Sequence, residues 1–451
     1  MTERNNARTT LLRKNILASL LLKGWAGLVQ LLLVPATLVC LGDYQNGLWM
    51  TIYSFLFWIE SLDIGLGNGL RNRLSAHLAH GQTEQARACV SSTLGMLLIV
   101  IIPVAILLVW GIQVFDVYGW LNIRADWVPD LRQVLTLTTV IVSGVFVLKF
   151  VGNIYQALQL PAVTNALVVA GQTLTLLFIL VLNGFPQAEN RFWWVAVIYT
   201  VAQLVVYVVA FPITFRRYPF LRPSLKYFRW QTVVDLFQMG IRFFVLQMAG
   251  IVLFTSSNAL ISRMFTPAMV TPYQVAYRYF SLAMMLFTIV AVPYWSATTD
   301  AFERGDLSWI RRSMKKMRWG LLGILLLLLL MTAVANPVYR LWVGSVEVPL
   351  SMTLLMAAYM FIIIFSLSYS YFLNGMNALN LQLVLTVCAA VAYIPLAWHW
   401  GRLWGIEGML LALCVVNLPG ALVNAIQYRL IMSGRAKGIW LPSPSTRNMQ
   451  A

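Results

Sequence analysis

The chain has 451 residues, 60% of them hydrophobic and only 10% charged, with 32 basic against 15 acidic residues and a formal net charge of +17. Soluble domains run about 45–50% apolar and about 25% charged, and disorder needs low hydrophobicity with high charge. Both classes are excluded, and a mean hydropathy of +0.76 points to a polytopic membrane protein.

A membrane helix needs about 20 mostly apolar residues to cross about 30 Å of hydrocarbon. Twelve segments meet that criterion. The first six lie near 16–41, 48–66, 89–112, 131–150, 161–184 and 192–213. The second six lie near 240–261, 277–295, 319–341, 350–373, 381–400 and 404–431. The first run is too long for a signal-peptide core and no small-residue cleavage site follows it, so the stretch from Met1 to Lys14 reads as a retained cytoplasmic tail.

Counting cations loop by loop gives the orientation. The two tails and the loops after even-numbered spans carry 22 of the 32, and the loops after odd-numbered spans carry 7. The remaining three, Lys23, Lys149 and Arg242, fall within spans or at their ends. The positive-inside rule then predicts both termini in the cytoplasm. Orientation and an anionic cytoplasmic leaflet account for the +17, so membrane lipids, and not nucleic acid, are the expected partners of the basic loops. The longest loop, from Thr214 to about Met239, has no room for an extramembrane domain.

The loop after span two runs His80-Gly81-Gln82-Thr83-Glu84-Gln85-Ala86-Arg87, and the loop after span eight runs Arg304-Gly305-Asp306-Leu307-Ser308-Trp309-Ile310-Arg311. Each places an Arg six residues after a Gly and just before a new apolar helix. The same offset carries the start of span one onto the start of span seven. The chain therefore reads as two six-helix halves, 1–225 and 226–451, in parallel orientation. Parallel repeats of this kind are a transporter architecture with the substrate path in a central cleft between the halves.

Motifs for chemistry are sparse. No Walker-type phosphate loop is present, so ATP hydrolysis by that route is excluded. The run Gly65-Leu66-Gly67-Asn68-Gly69 belongs to no βαβ unit and reads as a helix-ending turn. Cys40, Cys89, Cys388 and Cys414 show no paired spacing and read as small buried hydrophobes. His77 and His80 lack a carboxylate or thiol companion, and no metal or other cofactor is expected. No nucleophile with a base and no loop pair of carboxylates suggests an enzyme.

The charges within spans are the informative group, because a midplane charge costs at least about 2.5–3.5 kcal/mol and so faces a cavity or a partner. Lys23 and Glu60 lie at similar depth on antiparallel neighbours, with Asp63 on the Glu60 side of its helix. Two readings stay open: an ion pair that only joins two helices, or a cation lining a hydrated cleft with Glu60 setting its charge or taking part in ion coupling. Gln30 shares the Lys23 face, and Gln247 occupies the repeat position equivalent to Lys23. Arg242 and Lys149 are placed near cytoplasmic span ends, where snorkelling accounts for them. Arg278 begins span eight, from where it could enter a cleft from the periplasmic side; the sequence leaves this open.

Lys14-Asn15-Ile16 leading into an apolar helix, then Gly47-Leu48-Trp49, then the run from Asp63 to Asn72 (Asp-Ile-Gly-Leu-Gly-Asn-Gly-Leu-Arg-Asn), resemble polysaccharide and O-antigen flippases. These belong to the multidrug/oligosaccharidyl-lipid/polysaccharide exporter (MOP) superfamily. The resemblance implies an all-α integral membrane protein of the bacterial inner membrane. It would move undecaprenyl-diphosphate-linked oligosaccharide repeat units to the periplasmic leaflet by alternating access, for O-antigen or other surface polysaccharide. A proton or sodium gradient is the compatible energy source, and a polysaccharide polymerase with its chain-length machinery are the implied partners. The alternative is a cation-coupled multidrug exporter of the same superfamily, kept open by Glu60 and Asp63. A membrane-embedded polymerase or acyltransferase would need a large periplasmic loop or a catalytic histidine, and neither is present.

Overall fold

The computed structural model describes the chain apart from Met1, residues 62–64, 159, 186, 188, 345 and 442–451. It does not describe the side chains of residues 2–20, 23, 68, 72, 79, 238–243, 246, 247, 254, 255, 296, 300 and 303. Asp63 thus lies outside the described residues, as do the side chains of Lys23, Arg242 and Gln247.

The described residues form helices and no strand. In the first half these are α1 (Thr2–Glu60), α2 (Leu66–Ala79), α3 (Thr83–Val114), α4 (Val117–Leu121), α5 (Leu131–Leu148), α6 (Phe150–Ala157), α7 (Pro161–Asn183) and α8 (Arg191–Arg217). Then come α9 (Trp230–Met264), α10 (Val270–Glu303), α11 (Leu307–Ala333), α12 (Ala335–Val343), α13 (Leu350–Gly375) and α14 (Asn380–Met432). Among the described residues, nine helical segments are long and apolar enough to cross a membrane. Two of those nine hold two expected spans each. α1 breaks at Gly42 (φ 67°, ψ 174°) and α14 at Trp404–Gly405, where Gly405 has φ 67°. With α9, every one of the twelve expected spans has its helix.

Helix ends differ from the apolar windows in an instructive way. Spans three, eight and nine begin earlier than expected, at Thr83, Val270 and Leu307. Hydropathy marks the lipid-embedded part, whereas the helix continues into polar sequence until a breaker stops it. The expected second span, 48–66, ends instead at Glu60, and Gly65 in the left-handed region (φ 74°) opens α2. The glycine run is therefore a helix start and not only a helix end. Gly67 to Gly69 lie inside α2, and a Cβ on Gly69 would sit 2.5 Å from the Leu236 carbonyl oxygen of α9.

Two compact units emerge, Met1–Gln247 with Thr266–Ala268, and Met248–Phe265 with Met269–Ala451. Their boundary falls within α9, downstream of the 225/226 junction drawn from the repeat. The start of α9 is held to the first unit by the Gly69 contact and by Arg73 Nη2, 3.5 Å from Asp235 Oδ2.

In the first unit α1 packs on α7 and α5, α3 on α5 and α2, and α7 and α5 on α8. Leu48, Trp49, Ile52 and Phe150 are fully buried in its core. Polar bonds reinforce this packing: Asn183 Nδ2 donates to the Ala36 carbonyl (2.8 Å) and Trp25 Nε1 to Thr173 Oγ1 (3.0 Å). In the second unit α13 packs on α14, α10 and α11 around buried Tyr273, Tyr359, Tyr393, Phe280 and Phe372. Asn424 Nδ2 donates to Ser366 and Ser370 hydroxyls at 3.0 Å each, joining α13 to α14.

The sequence repeat reappears in the backbone. Gly81 (φ 70°) and Gly305 (φ 72°) both take the left-handed conformation. Gly81 N–H donates to Leu78 and Gln82 N–H to His77; Gly305 N–H donates to Phe302 and Asp306 N–H to Ala301, the same offsets in each half. This pattern satisfies the last carbonyls of the preceding helix. The two repeat arginines also play matching parts. Arg87 Nε donates to the Arg222 carbonyl (2.8 Å) and Arg311 Nη2 to the Met432 carbonyl (2.7 Å), each at or just past the end of the last span of its own half. In the second copy Asp306 caps α11: the Ser308 hydroxyl and the Trp309 N–H hold its carboxyl below the usual range.

Cys40, Cys89 and Cys414 are buried and Cys388 is exposed, correcting the expectation for the last. His77 Nδ1 meets Gln82 Oε1 at 2.7 Å and His80 Nδ1 the Ala76 carbonyl at 2.8 Å, both local contacts.

Forcing a Cβ against a packed backbone atom costs typically about 1–3 kcal/mol. Gly69→Ala is expected to lower the melting temperature of the detergent-solubilised protein by several degrees. Gly24→Ala, with nothing within 4 Å of its Cβ, is expected to leave it unchanged or slightly raised. Both are read by scanning fluorimetry.

Candidate functional site

The charged group in the first unit is built where three elements converge: the end of α1, the junction of α5 and α6, and α2 packed on α6. Lys149 stands between α5 and α6 with near-helical backbone (φ −58°, ψ −22°), so the two run as one span from Leu131 to Ala157. Sequence had placed Lys149 at a cytoplasmic span end. Ala157 lies eight residues further, roughly 12 Å at 1.5 Å per residue, so snorkelling over a single turn does not describe it. The polar Gly152-Asn153 step imitates a helix end without breaking the helix.

Lys149 Nζ instead lies 2.9 Å from Glu60 Oε2, with side-chain exposures of 41% and 20%. The described partner of Glu60 is therefore Lys149 from span four; a pairing with Lys23 involves a side chain outside the described ones. The buried Tyr207 of α8 lies within the electrostatic reach of Glu60. One layer away, Arg71 Nη1 of α2 lies 3.5 Å from Gln156 Oε1 of α6. Gln30 is exposed on α1. Of the expected first-unit residues, the structure brings together Glu60 and Lys149.

The second unit contributes a different arrangement. Because α10 begins at Val270, Arg278 lies eight residues into it, roughly 12 Å along the helix, and not at its start. Arg278 is half-buried, its buried Nε makes no hydrogen bond, and among the described residues no carboxylate pairs with it. Around it lies a polar centre that sequence reasoning found only in fragments. Tyr277 stacks on Tyr273 (6.5 Å, 17°), the Ser257 and Tyr393 hydroxyls share a hydrogen bond, and Gln274 Nε2 donates to Asn258 Oδ1 at 2.7 Å. Ser257 and Asn258 share α9, while their partners Gln274 on α10 and Tyr393 on α14 stand far along the chain, a juxtaposition that the sequence alone does not show.

The model of the polysaccharide biosynthesis protein family matches residues 12–298, more than half of the chain. The chain belongs to the polysaccharide biosynthesis protein family. No curated protein matches it by sequence. Its fold is similar to that of multidrug resistance MATE family transporters of the MOP superfamily. One in an inward-facing conformation gives a TM-score of 0.73 at 15% identity over 93% of this chain and 98% of that one. One in an outward-facing conformation gives 0.64 at 15% identity over 94% and 97%. The Vibrio cholerae MATE transporter VcmN in its bent form gives 0.64 at 15% identity over 96% and 99%. This member of the polysaccharide biosynthesis protein family is thus a multi-pass membrane protein whose fold is like that of MATE transporters.

Breaking a fully buried ion pair from one side costs roughly 3–5 kcal/mol. With Lys149 about two-fifths exposed, solvent screening reduces this to about 1–2 kcal/mol for Lys149→Met. The Glu60→Gln/Lys149→Met double variant is expected to recover most of that loss. A double-mutant cycle on thermal stability measures the coupling, and additive losses contradict the pairing.

Proposed function

We propose that this protein is a flippase of the bacterial inner membrane that moves undecaprenyl-diphosphate-linked oligosaccharide units from the cytoplasmic to the periplasmic leaflet. It acts by alternating access without ATP, in the synthesis of O-antigen or another surface polysaccharide. The observation that carries this reading is the charge balance inside the spans. Of the carboxylates that sequence places there, Glu60 is committed to Lys149, and Asp63 lies outside the described residues. Arg278 meets no carboxylate among the described residues. An interior with excess cation suits an anionic diphosphate, which guanidinium and ammonium groups bind by charge-assisted hydrogen bonds. The family match supports a role in polysaccharide synthesis. A polysaccharide polymerase and its chain-length machinery are the partners this function needs. A proton or sodium gradient is the energy source we assign.

Cation-coupled export of drugs is the second reading, favoured by the fold shared with multidrug MATE transporters. Such coupling needs an intramembrane carboxylate free to bind the ion, and the Glu60 engagement weighs against it.

Deleting the protein in its host is expected to remove surface polysaccharide and to accumulate lipid-linked oligosaccharide in the inner membrane. Arg278→Ala and Lys23→Ala are expected to fail at least tenfold in restoring the glycan, at normal membrane abundance. Arg278→Lys is expected to restore part of it, since charge is kept while the planar fork is lost. An unchanged glycan with increased drug sensitivity would establish the exporter reading instead.

A further inference from the structure

A second polar site lies in the first unit, on the loop face that the charge count expects to be periplasmic. It is a cavity of about 280 Å³ between the break in α1, the start of α5 and the start of α8, lined by Gln45, Trp127, Asp130, Asn190, Arg191 and Trp193 among others. That volume lies just below the roughly 300–1,000 Å³ of drug-sized sites, the scale of one sugar ring.

Two of its polar groups are left over from structural duty. Asp130 and Asn190 occupy the positions just before α5 and α8, where Asp and Asn side chains ordinarily accept from the first free N–H groups of the helix. Neither side chain makes a capping bond here, and Asn190 takes a left-handed backbone (φ 52°). Asp130 forms no ion pair or side-chain hydrogen bond among the described residues. Arg191 donates from Nη1 to the Cys40 carbonyl (3.3 Å) and from Nη2 to the Phe185 carbonyl (3.1 Å), while its buried Nε makes no bond. Gln45 donates from Nε2 to the Trp127 carbonyl (3.2 Å), which leaves its own carbonyl oxygen as an acceptor.

The aromatic wall is fixed in place. Tyr44 packs edge-on against Trp127 at 4.7 Å, and Arg124 covers the Trp127 ring at 4.9 Å. Trp193 packs edge-on against Trp194 at 4.9 Å. Indoles beside a carboxylate, two amides and a guanidinium form a set that matches one ligand class. The C–H surface of a pyranose would lie against indole, its hydroxyls would donate to Asp130 and Gln45, and its oxygens would accept from Arg191 and Asn190. Asp130 and Arg191 balance in charge, so the cavity does not favour a phosphate.

We propose that this cavity binds one neutral pyranose ring of the translocated glycan, receiving it on the far side of the membrane. The identity of the sugar as cargo rests on the flippase reading; the saccharide site itself does not. The test is saturation-transfer-difference NMR on the full-length protein in detergent. The probes are the methyl glycosides of glucose, galactose and N-acetylglucosamine at millimolar concentration. Transfer to ring C–H protons is expected in the wild type. It should fall at least fivefold in Asp130→Asn and in Trp127→Ala, and stay unchanged in Trp110→Ala, on the exposed surface of α3. No transfer from the wild type to any of the three, or undiminished transfer in Asp130→Asn, overturns the site. In the deletion host, Asp130→Asn is expected to lower surface glycan at least threefold. Full export with sugar binding lost would overturn the assignment of the sugar to the cargo. A deletion strain that keeps its glycan while the NMR signal persists would reject the flippase reading and leave the saccharide site standing.

Discussion

Hydrocarbon offers no hydrogen-bond partner to a peptide group, and this one constraint sets the form of the molecule. Every crossing among the described residues is a helix, and several of the turns use a left-handed backbone, at Gly42, Gly65, Gly81, Gly305 and Gly405 and at Asn122, Asn190 and Asn377. The two loop glycines of the repeat, Gly81 and Gly305, satisfy the preceding helix with identical hydrogen-bond offsets. The arginine six residues later then ties the next helix to the close of its own half. A motif of two residue types thus encodes a turn and a clamp, and its recurrence reflects one structural solution used twice.

The same medium governs the interior charges. An ammonium and a carboxylate taken out of water must find each other or a hydrated surface, and Lys149 and Glu60 do so across α1 and the α5–α6 junction. Once that carboxylate is engaged, the balance inside the described spans shifts toward cation. Arg278, well inside α10 among tyrosines, is the charge left over. An interior of this kind fits anionic cargo better than ion-coupled export of cationic drugs. The polar cavity beside Arg191 obeys a different logic, since its acid and base balance and its walls are aromatic.

The candidate site was legible in residue type but not in partnership. Intramembrane charge is rare enough that Lys23, Glu60, Lys149, Arg242 and Arg278 stand out from the sequence at once. Depth along a helix can be estimated from register, and depth alone suggested Lys23 as the companion of Glu60. The Lys23 side chain lies outside the described residues, and the apparent span end at Gly152 hid Lys149 as a companion of Glu60. Nothing in the sequence sets Arg191, Asp130 and Asn190 apart, because one sequence does not tell whether a residue before a helix will cap it.

Composition, apolar windows and the loop distribution of arginine determined by themselves that this is a helical membrane protein of twelve spans in two repeated halves. Those features follow from transfer free energies and from hydrogen bonding within a single segment, which are local properties of the chain. Tertiary structure alone decided that α1 and α14 each carry two spans joined at a kink with no loop between, that α5 and α6 form one span, and that Glu60 meets Lys149. Those outcomes depend on which surfaces meet, and contact between residues about ninety positions apart leaves no periodic trace in the sequence.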